Sequence, residues 1–199
     1  MHYVVSDIHG HFKRFLDLLK LINFSNEDTL YIIGDVIDRG PEPIALLQYI
    51  MTQPNMIMTL GNHEFIMDVV HGKELLGHRD FWYENGGKVT DEQFKELRST
   101  ERNRILDFIE SLPISIEVEV AGVLYELVHS KPATGRYEKG SIDEILEMVD
   151  KRMKPYTVIP KDRIIVFGHT VTTPAFHITT PYSIWFGDNR VGIDCGIVG

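Results

Sequence analysis

The chain has 199 residues, of which 43% are hydrophobic, with 20 lysines and arginines against 29 aspartates and glutamates and a net charge of -9. This length suits one domain with a sizeable core. The single cysteine, Cys195, excludes an intramolecular disulfide framework and a cysteine-based zinc ribbon. The acidic balance excludes nonspecific nucleic-acid binding, which needs a basic surface to displace counterions.

The location of the protein follows from the same composition. A lone cysteine is typical of a reducing compartment. The N-terminus begins directly with a strand-like HYVVS segment, and no apolar run approaches the roughly 18 residues of a membrane-spanning helix. We therefore expect a cytoplasmic protein with no membrane partner, and the oligomeric state stays open.

The first third of the chain repeats a short apolar strand pattern, a polar loop and a helix pattern. The strand patterns cover residues 3–5, 30–33 and 56–58, and they are followed by the loops SDIHGH, GDVIDRGP and GNHE. Apolar residues at helical spacing come after the first two loops. This alternation predicts a mostly parallel βαβ arrangement with the loops gathered at the carboxyl ends of the strands.

The rest of the chain changes character several times. A charge-rich helical excursion is predicted from about residue 64 to 112, followed by a hairpin with its turn at Ala121-Gly122. The remaining predicted segments, in chain order, are a surface loop at 131–140, a helix at 142–149, a buried strand at 164–167 and a closing meander around His177, 183–186 and 191–193.

Ionisable residues recur where these strands end. An aspartate after a strand is more often a turn or helix cap than a ligand, and a lone histidine more often packs or lies at the surface. Five strand ends carry matching residue types, however, and aspartate, asparagine and imidazole without thiolate suit Mn, Fe or Zn. The candidate residues are Asp7, His9, Asp35, Asn62, His63, His129 and His169.

Taken together, SDIHG, GDVIDRG and GNHE, followed by a later histidine and then GHT, resemble the motifs of the calcineurin-like metallophosphoesterases. Within them the resemblance is strongest to the phosphoprotein phosphatases, especially the small bacterial and phage enzymes of the lambda type. Residues 82–87, WYENGG, resemble an aromatic-then-NGG segment of those phosphatases. The resemblance implies an α/β fold in which two mixed β-sheets pack as a sandwich flanked by helices.

The motifs cover residues 7–196, so a single metallophosphoesterase catalytic domain is expected over 1–199. Relatives usually continue through another strand after the segment that corresponds to 193–196. We therefore expect either a naturally short member of the family or a sequence that lacks its C-terminal end.

The resemblance also implies a ligand set. Asp7, His9 and Asp35 would hold one divalent cation, while Asp35, Asn62, His129 and His169 would hold a second, with Asp35 bridging the two. Mn²⁺ is expected, with Fe or Zn as alternatives. Two such cations share a water and lower its pKa, so a metal-bridging hydroxide is the implied nucleophile. They would also change the net charge from -9 to -9 + 4 = -5, which makes phosphate binding conditional on metal.

Other residues receive catalytic and binding roles by the same resemblance. His63 is the implied acid that protonates the leaving alkoxide, and Asp38 orients it. Arg39 is the implied phosphate ligand, because a planar guanidinium matches phosphate oxygens. For the second phosphate-binding arginine we choose Arg152, with Arg136 as its competitor.

The resemblance thus implies a dinuclear-metal phosphomonoesterase, foremost a serine/threonine protein phosphatase with possible dual specificity, acting on a phosphorylated protein or peptide. The alternative is a diadenosine polyphosphate hydrolase, whose family shares the metal centre but commonly carries GNHD and lacks the aspartate that corresponds to Asp38. A third hypothesis is a non-catalytic metal-binding scaffold. Such proteins lose ligands, whereas this chain has every expected one.

Overall fold

The computed structural model describes residues 1–72, 76–132, 142–176, 180 and 182–196. Two sheets and their flanking helices make up the described fold. The strands are β1 (His2–Val5), β2 (Thr29–Ile33), β3 (Met56–Thr59), β4 (Ser115–Val120), β5 (Val123–Val128), β6 (Ile164–Phe167), β7 (Trp185–Gly187) and β8 (Arg190–Gly192). The α-helices are α1 (Phe12–Leu21), α2 (Pro43–Met51), α3 (Asn62–Met67), α4 (Arg79–Glu84), α5 (Lys88–Glu96), α6 (Ser99–Ser111), α7 (Ile142–Val149) and α8 (Thr172–Ala175).

The first sheet has the order β1-β2-β3, and all of its strands are parallel. The α1 helix connects β1 to β2 and the α2 helix connects β2 to β3, as the repeated strand–loop–helix pattern predicts. In α1 the buried residues Phe15 and Leu19 lie four positions apart and pack into the core beneath the sheet. The carboxyl ends of the three strands consequently meet at one edge.

The second sheet has the order β4-β5-β6-β8-β7 and is mixed. The β4 and β5 strands form the antiparallel hairpin predicted around Ala121-Gly122, whereas β6 is parallel to both β5 and β8. The closing segment is therefore not a simple meander, because β8 lies between β6 and β7. His177 and residues 133–140 of the predicted surface loop lie outside the described residues.

The two sheets pack face to face through alternate side chains. Tyr31 and Ile33 of β2 contact Leu127 of β5 and Val166 of β6 in one apolar cluster. Leu30 and Ile32, on the opposite face of β2, belong to the large core shared with the helices. The α/β sandwich expected from the sequence is confirmed, with the difference that only the second sheet is mixed; the first is wholly parallel because helices connect its strands.

The predicted helical excursion is confirmed between β3 and β4. It consists of α3 to α6 together with a π-helical turn at Asp68–Gly72 and a 3₁₀ turn at Leu76–His78. Its fully buried aromatic residue Trp82 and the buried Phe94 extend the core of the first sheet. Among the described residues, no helix has both the length and the apolar character that crossing a bilayer requires.

Candidate metal centre

The predicted ligands and the predicted acid His63 lie just after β1, β2, β3, β5 and β6, and Asn62 and His63 occupy the first turn of α3. Adjacent loops are joined by backbone hydrogen bonds. The Asp7 N–H donates to the Gly34 carbonyl at 3.2 Å, and the His9 N–H donates to the Asp35 carbonyl at 3.0 Å. Since parallel strands present their carboxyl ends together, side chains from distant parts of the chain converge at this edge.

The backbone of these loops is strained at the predicted site residues. Ten non-glycine residues among those described have positive φ, and six of them are predicted site residues, namely Asp7, His9, Asp35, Asp38, Arg39 and His169. Each such conformation costs on the order of 1–3 kcal/mol and persists only where surrounding contacts enforce it. Gly61 shows how tight those contacts are, because a Cβ atom there would lie 2.4 Å from the Asp35 nitrogen.

Glu64 holds the loop that carries Asp35. Its fully buried carboxylate accepts hydrogen bonds from the N–H groups of Asp35, Val36, Ile37 and Gly61 at 2.8–3.2 Å. Burial and repulsion from Asp35 raise the pKa of Glu64 to about 7. The side chain is fully engaged with backbone donors, so it supports the loop and does not offer a ligand atom to the centre.

Two groups of buried ligand atoms share Asp35. Atoms of His9, Asp35 and His63 lie within 4.8 Å of one another, as do atoms of Asp35, His129 and His169. The distances from Asp35 are 3.7 Å to His9 Nε2, 3.8 Å to His63 Nε2 and 3.3 Å to His129 Nε2. A carboxylate common to both groups is the arrangement that a bridging ligand requires.

Asn62 belongs to the second group by position. Its side-chain amide lies 3.0 Å from His129 Nε2, 3.1 Å from His169 Nδ1 and 3.3 Å from both Asp35 oxygens. The neighbours of this amide can therefore all present lone pairs to the same small volume. A divalent cation satisfies such a set of acceptors, and the residues present fit one.

The histidines are oriented by hydrogen bonds from their outer ring nitrogens. Nδ1 of His9 and Nδ1 of His129 lie 3.0 and 2.8 Å from the carbonyl oxygens of Ile37 and Ile33, and His169 Nε2 lies 2.9 Å from the Asp150 carbonyl. A carbonyl oxygen only accepts, so the outer nitrogens carry the proton. When the rings are neutral, the inner nitrogens face the centre with free lone pairs, as in histidine metal ligands.

The pKa values of these groups show how unfavourable the cluster is without a countercharge. Burial and repulsion from Asp194 raise the pKa of Asp7 to about 8. Burial lowers the pKa of His9 to about 3, and burial with repulsion from His129 does the same for His169. Burial opposes the charging of His129, but Asp35 outweighs it and raises its pKa to about 10. Cations at this position would supply the missing positive charge.

His63 differs from the other three histidines because its outer nitrogen meets a carboxylate. Its Nδ1 lies 2.6 Å from Asp38 Oδ2, and both side chains are buried. Burial opposes the charging of His63, but Asp35 and Asp38 outweigh it and raise its pKa. The Arg39 guanidinium donates to His63 Nε2 at 3.1 Å, so the imidazole and the guanidinium are in direct contact.

Asp7 and Arg152 are predicted site residues whose side chains are outside the two shared groups. Asp7 is outside both and accepts the His169 N–H at 3.1–3.2 Å. Arg152 is exposed and donates to the His169 carbonyl at 3.1 Å, which places it beside a candidate ligand. Arg136, its competitor, lies outside the described residues.

The sequence reasoning missed several residues that the fold brings to the centre. Trp82 and Thr90 both donate hydrogen bonds to Asp38. Asp150 supplies the carbonyl that holds His169, and the buried Asp194 repels Asp7. The WYENGG segment was a signal for Trp82, whereas nothing in the sequence pattern indicated Thr90 or Asp150.

An α/β sandwich whose strand ends present paired carboxylate and imidazole clusters has the fold and site of a metal-dependent hydrolase. The family model for the calcineurin-like phosphoesterases matches residues 3–192. The chain belongs to this family, whose members use a dinuclear metal centre, so the prediction of a metal-dependent phosphoester hydrolase is confirmed at the level of the class. Its clusters of histidine and aspartate side chains are able to bind metal.

Several known proteins are similar to this chain. Serine/threonine-protein phosphatase 2 of Salmonella typhimurium is 34% identical over 204 residues, which cover 98% of this chain and 86% of the relative. The symmetrical bis(5'-nucleosyl)-tetraphosphatase of Wigglesworthia glossinidia brevipalpis is 39% identical over 74 residues, which cover 36% of this chain and only 27% of that relative. The fold resembles that of a protein serine/threonine phosphatase from Saccharomyces cerevisiae, with a TM-score of 0.59, 18% identity, and coverage of 96% of this chain and 65% of the other.

Proposed function

We propose that the protein is a metal-dependent phosphomonoesterase that removes phosphate from serine and threonine residues of proteins or peptides. The observation that supports this most strongly is the buried contact of 2.6 Å between Asp38 and His63 at the edge of the metal centre. It supplies a positioned proton donor, which the cleavage of an alkyl phosphate requires.

The proposed activity depends on two divalent cations. Asp7, His9 and Asp35 would hold one, and Asp35, Asn62, His129 and His169 would hold the other. When bound, the cations polarise the phosphoryl group and lower the pKa of a water so that it can attack phosphorus at neutral pH. The oxygen and imidazole donors support Mn²⁺, with Fe or Zn as alternatives.

Arg39 would bind the phosphate. In the structure its guanidinium donates to His63 Nε2, and phosphate oxygens would replace that nitrogen as acceptors. This exchange frees Nε2 to carry a proton next to the ester oxygen. Arg152, which donates to the His169 carbonyl, is the proposed second phosphate ligand.

His63 would then donate its Nε2 proton to the leaving oxygen. The Asp38 carboxylate stabilises the imidazolium form and fixes the ring, so the proton faces the substrate. Serine and threonine alkoxides leave poorly without a proton, and an acid of this kind contributes about 10²- to 10⁴-fold to the rate. The pair therefore has its largest effect on alkyl phosphates.

Hydrolysis of diadenosine polyphosphates is the second candidate, and the similarity to symmetrical bis(5'-nucleosyl)-tetraphosphatases favours it. In that reaction the leaving group is a nucleotide phosphate, an anion that needs little help from an acid. The Asp38–His63 pair would be superfluous for such a substrate. This difference, together with the near full-length similarity to a protein phosphatase, supports the phosphomonoesterase. A cytoplasmic location stays a prediction from composition.

The test is phosphate release from a phosphothreonine peptide by the protein loaded with Mn²⁺. We expect hydrolysis that is lost on chelation and restored by added metal. The His63→Asn variant should lose about 10²-fold or more of kcat while keeping two metal ions per chain, since it loses the acid and no ligand. A metal-replete protein without turnover on any phosphomonoester would contradict the proposal, and loss of metal from His63→Asn would show that His63 is a ligand.

A further inference from the structure

The carboxylate of Asp38 is enclosed by three donors and has no exposed surface. Oδ2 accepts from His63 Nδ1 at 2.6 Å and from the Trp82 indole Nε1 at 2.7 Å, and Oδ1 accepts from the Thr90 hydroxyl. Two of these donors, Trp82 on α4 and Thr90 on α5, have no part in the proposed metal or phosphate binding. They therefore act on Asp38 itself.

Thr90 restrains Asp38 at two points. Its hydroxyl oxygen accepts the Asp38 N–H at 3.0 Å while its single hydroxyl proton goes to Asp38 Oδ1. The hydroxyl thus links the backbone of Asp38 to its own carboxylate and restricts the rotation of that group. Trp82 donates to the other oxygen, Oδ2, which also accepts a hydrogen bond from His63 Nδ1. With both oxygens engaged, only one orientation of the carboxylate faces the imidazole.

The helices that carry these donors are fastened to each other by the residues next in sequence. Tyr83, which follows Trp82, donates its hydroxyl to Asp91, which follows Thr90. The fully buried Asp91 carboxylate also contacts His71 Nε2 at 2.7 Å and Lys95 Nζ. Trp82 and Thr90 therefore contact Asp38, whereas Tyr83 and Asp91 hold α4 against α5.

Gly87 allows the two donors to come this close. A Cβ atom at this position would lie 2.2 Å from Trp82 Nε1, the nitrogen that donates to Asp38. Gly87 precedes the first residue of α5, which carries Thr90 three positions inside the helix. The glycine in WYENGG thus lets the indole and α5 pack together with no side chain between them.

We infer that Trp82 and Thr90 are positioning residues that fix the acid His63 by holding the Asp38 carboxylate in one orientation. The inference rests on the proposed role of His63 as the acid. A carboxylate released from either donor would rotate, and the imidazole would turn with it. A proton donor that is misplaced slows the departure of a poor leaving group far more than that of a good one.

The experiment compares two substrates on the same metal-loaded variants. A phosphothreonine peptide needs the acid, whereas p-nitrophenyl phosphate has a leaving group that departs without protonation. Thr90→Val removes the hydroxyl with little change of shape, and Thr90→Ser restores it. Trp82→Phe removes the indole N–H, and Phe94→Leu is its control, because Phe94 is a buried aromatic of the same helical excursion whose ring has no polar hydrogen to donate to Asp38.

We expect Thr90→Val and Trp82→Phe each to lower the ratio of kcat on the peptide to kcat on p-nitrophenyl phosphate by about tenfold to a hundredfold, as for one hydrogen bond to a charged group. Metal content should stay at the parent value. Thr90→Ser should return the ratio to within a few-fold of the parent, and Phe94→Leu should leave it unchanged.

Equal losses on both substrates, or a parental ratio in Thr90→Val, would overturn the inference. Thr90→Val is nearly isosteric, so its ratio of kcat values tests the inference even if Trp82→Phe does not fold. His63→Asn distinguishes a failure of the positioning role from a failure of the proposed acid. If His63→Asn lowers the ratio and Thr90→Val does not, the positioning role fails alone. If His63→Asn leaves the ratio unchanged, the proposed acid fails and the inference fails with it.

Discussion

Replacing Asp38 with asparagine tests the role of the carboxylate charge. The substitution keeps the size and planar shape of the side chain, so an amide oxygen can still accept from His63 Nδ1 and Trp82 Nε1. Thr90 can accept from the new NH₂ group in place of donating to Oδ1. We therefore expect Asp38→Asn to fold and to bind metal, while the negative charge beside His63 is lost.

The size of the effect follows from the surroundings of His63. Burial opposes protonation, and the carboxylates of Asp35 and Asp38 raise the pKa above its ordinary value. Removing the Asp38 charge lowers the pKa of His63. At a pH above this lowered pKa, each unit by which the pKa falls reduces the protonated fraction of His63 about tenfold. A positioned general acid contributes about 10²- to 10⁴-fold to the rate, and the substitution removes part of this contribution. We expect kcat on a phosphothreonine peptide at neutral pH to fall about 10²-fold or more.

The assay measures kcat on the peptide and on p-nitrophenyl phosphate across pH, together with bound metal. The acid must be protonated to act, so a lower pKa of His63 should move the alkaline limb of the peptide profile to lower pH. The rate on p-nitrophenyl phosphate should change by less than tenfold, since this leaving group needs no proton. Asp17→Asn, which neutralises an exposed aspartate paired with Lys20, is the matched control for net charge.

A parental rate of Asp38→Asn on the peptide would refute the reasoning. An equal fall on both substrates with full metal occupancy would also refute it, because the effect would then not act on the leaving group. Loss of metal would show that Asp38 supports the ligand set and not the acid.

Four further predictions concern the metal centre and the phosphate. Asp35→Asn should weaken both cation sites together in a titration followed by metal analysis, and selective loss of one ion would count against a bridging ligand. Arg39→Lys should raise KM for the peptide about tenfold, because a point charge replaces a planar fork of donors; an unchanged KM would exclude it from phosphate binding. Glu64→Gln should lower stability by about 1–3 kcal/mol in thermal or urea unfolding, since its NH₂ would oppose backbone donors, and parental stability would contradict the role of Glu64 in holding the loop. Chelation should lower the melting temperature as well as activity, because the buried carboxylates of Asp7 and Asp35 lose their countercharge; an unchanged melting temperature would mean that the cations do not bind there.

The sequence was most informative where structure is local. Strand, loop and helix patterns predicted the first sheet, the helical excursion and the hairpin at Ala121-Gly122. They also predicted that the loops carrying ionisable residues lie close together, because parallel strands bring their carboxyl ends to one edge of a sheet. The choice of His63 as a residue distinct from the ligands came from the family resemblance, and the structure adds that its outer nitrogen meets a carboxylate where the others meet carbonyl oxygens.

What the sequence did not predict depends on contacts between distant residues. Trp82 and Thr90 are 44 and 52 positions from Asp38, and only the packing of α4 and α5 brings them there. The insertion of β8 between β6 and β7 likewise follows from sheet pairing, which short alternating runs do not specify. The positive φ values at Asp7 and Asp35 were not predicted either, because aspartate tolerates this conformation but adopts it only where the surrounding loops require it.

The most direct test of the account compares kcat/KM for a phosphothreonine peptide and for diadenosine tetraphosphate in one metal-loaded preparation, with the parent protein and Asp38→Asn measured in parallel. The account predicts that the parent prefers the peptide and that Asp38→Asn loses this preference, because only the alkyl ester depends on the acid. A parent that prefers the dinucleotide, with a preference unaffected by Asp38→Asn, would contradict it.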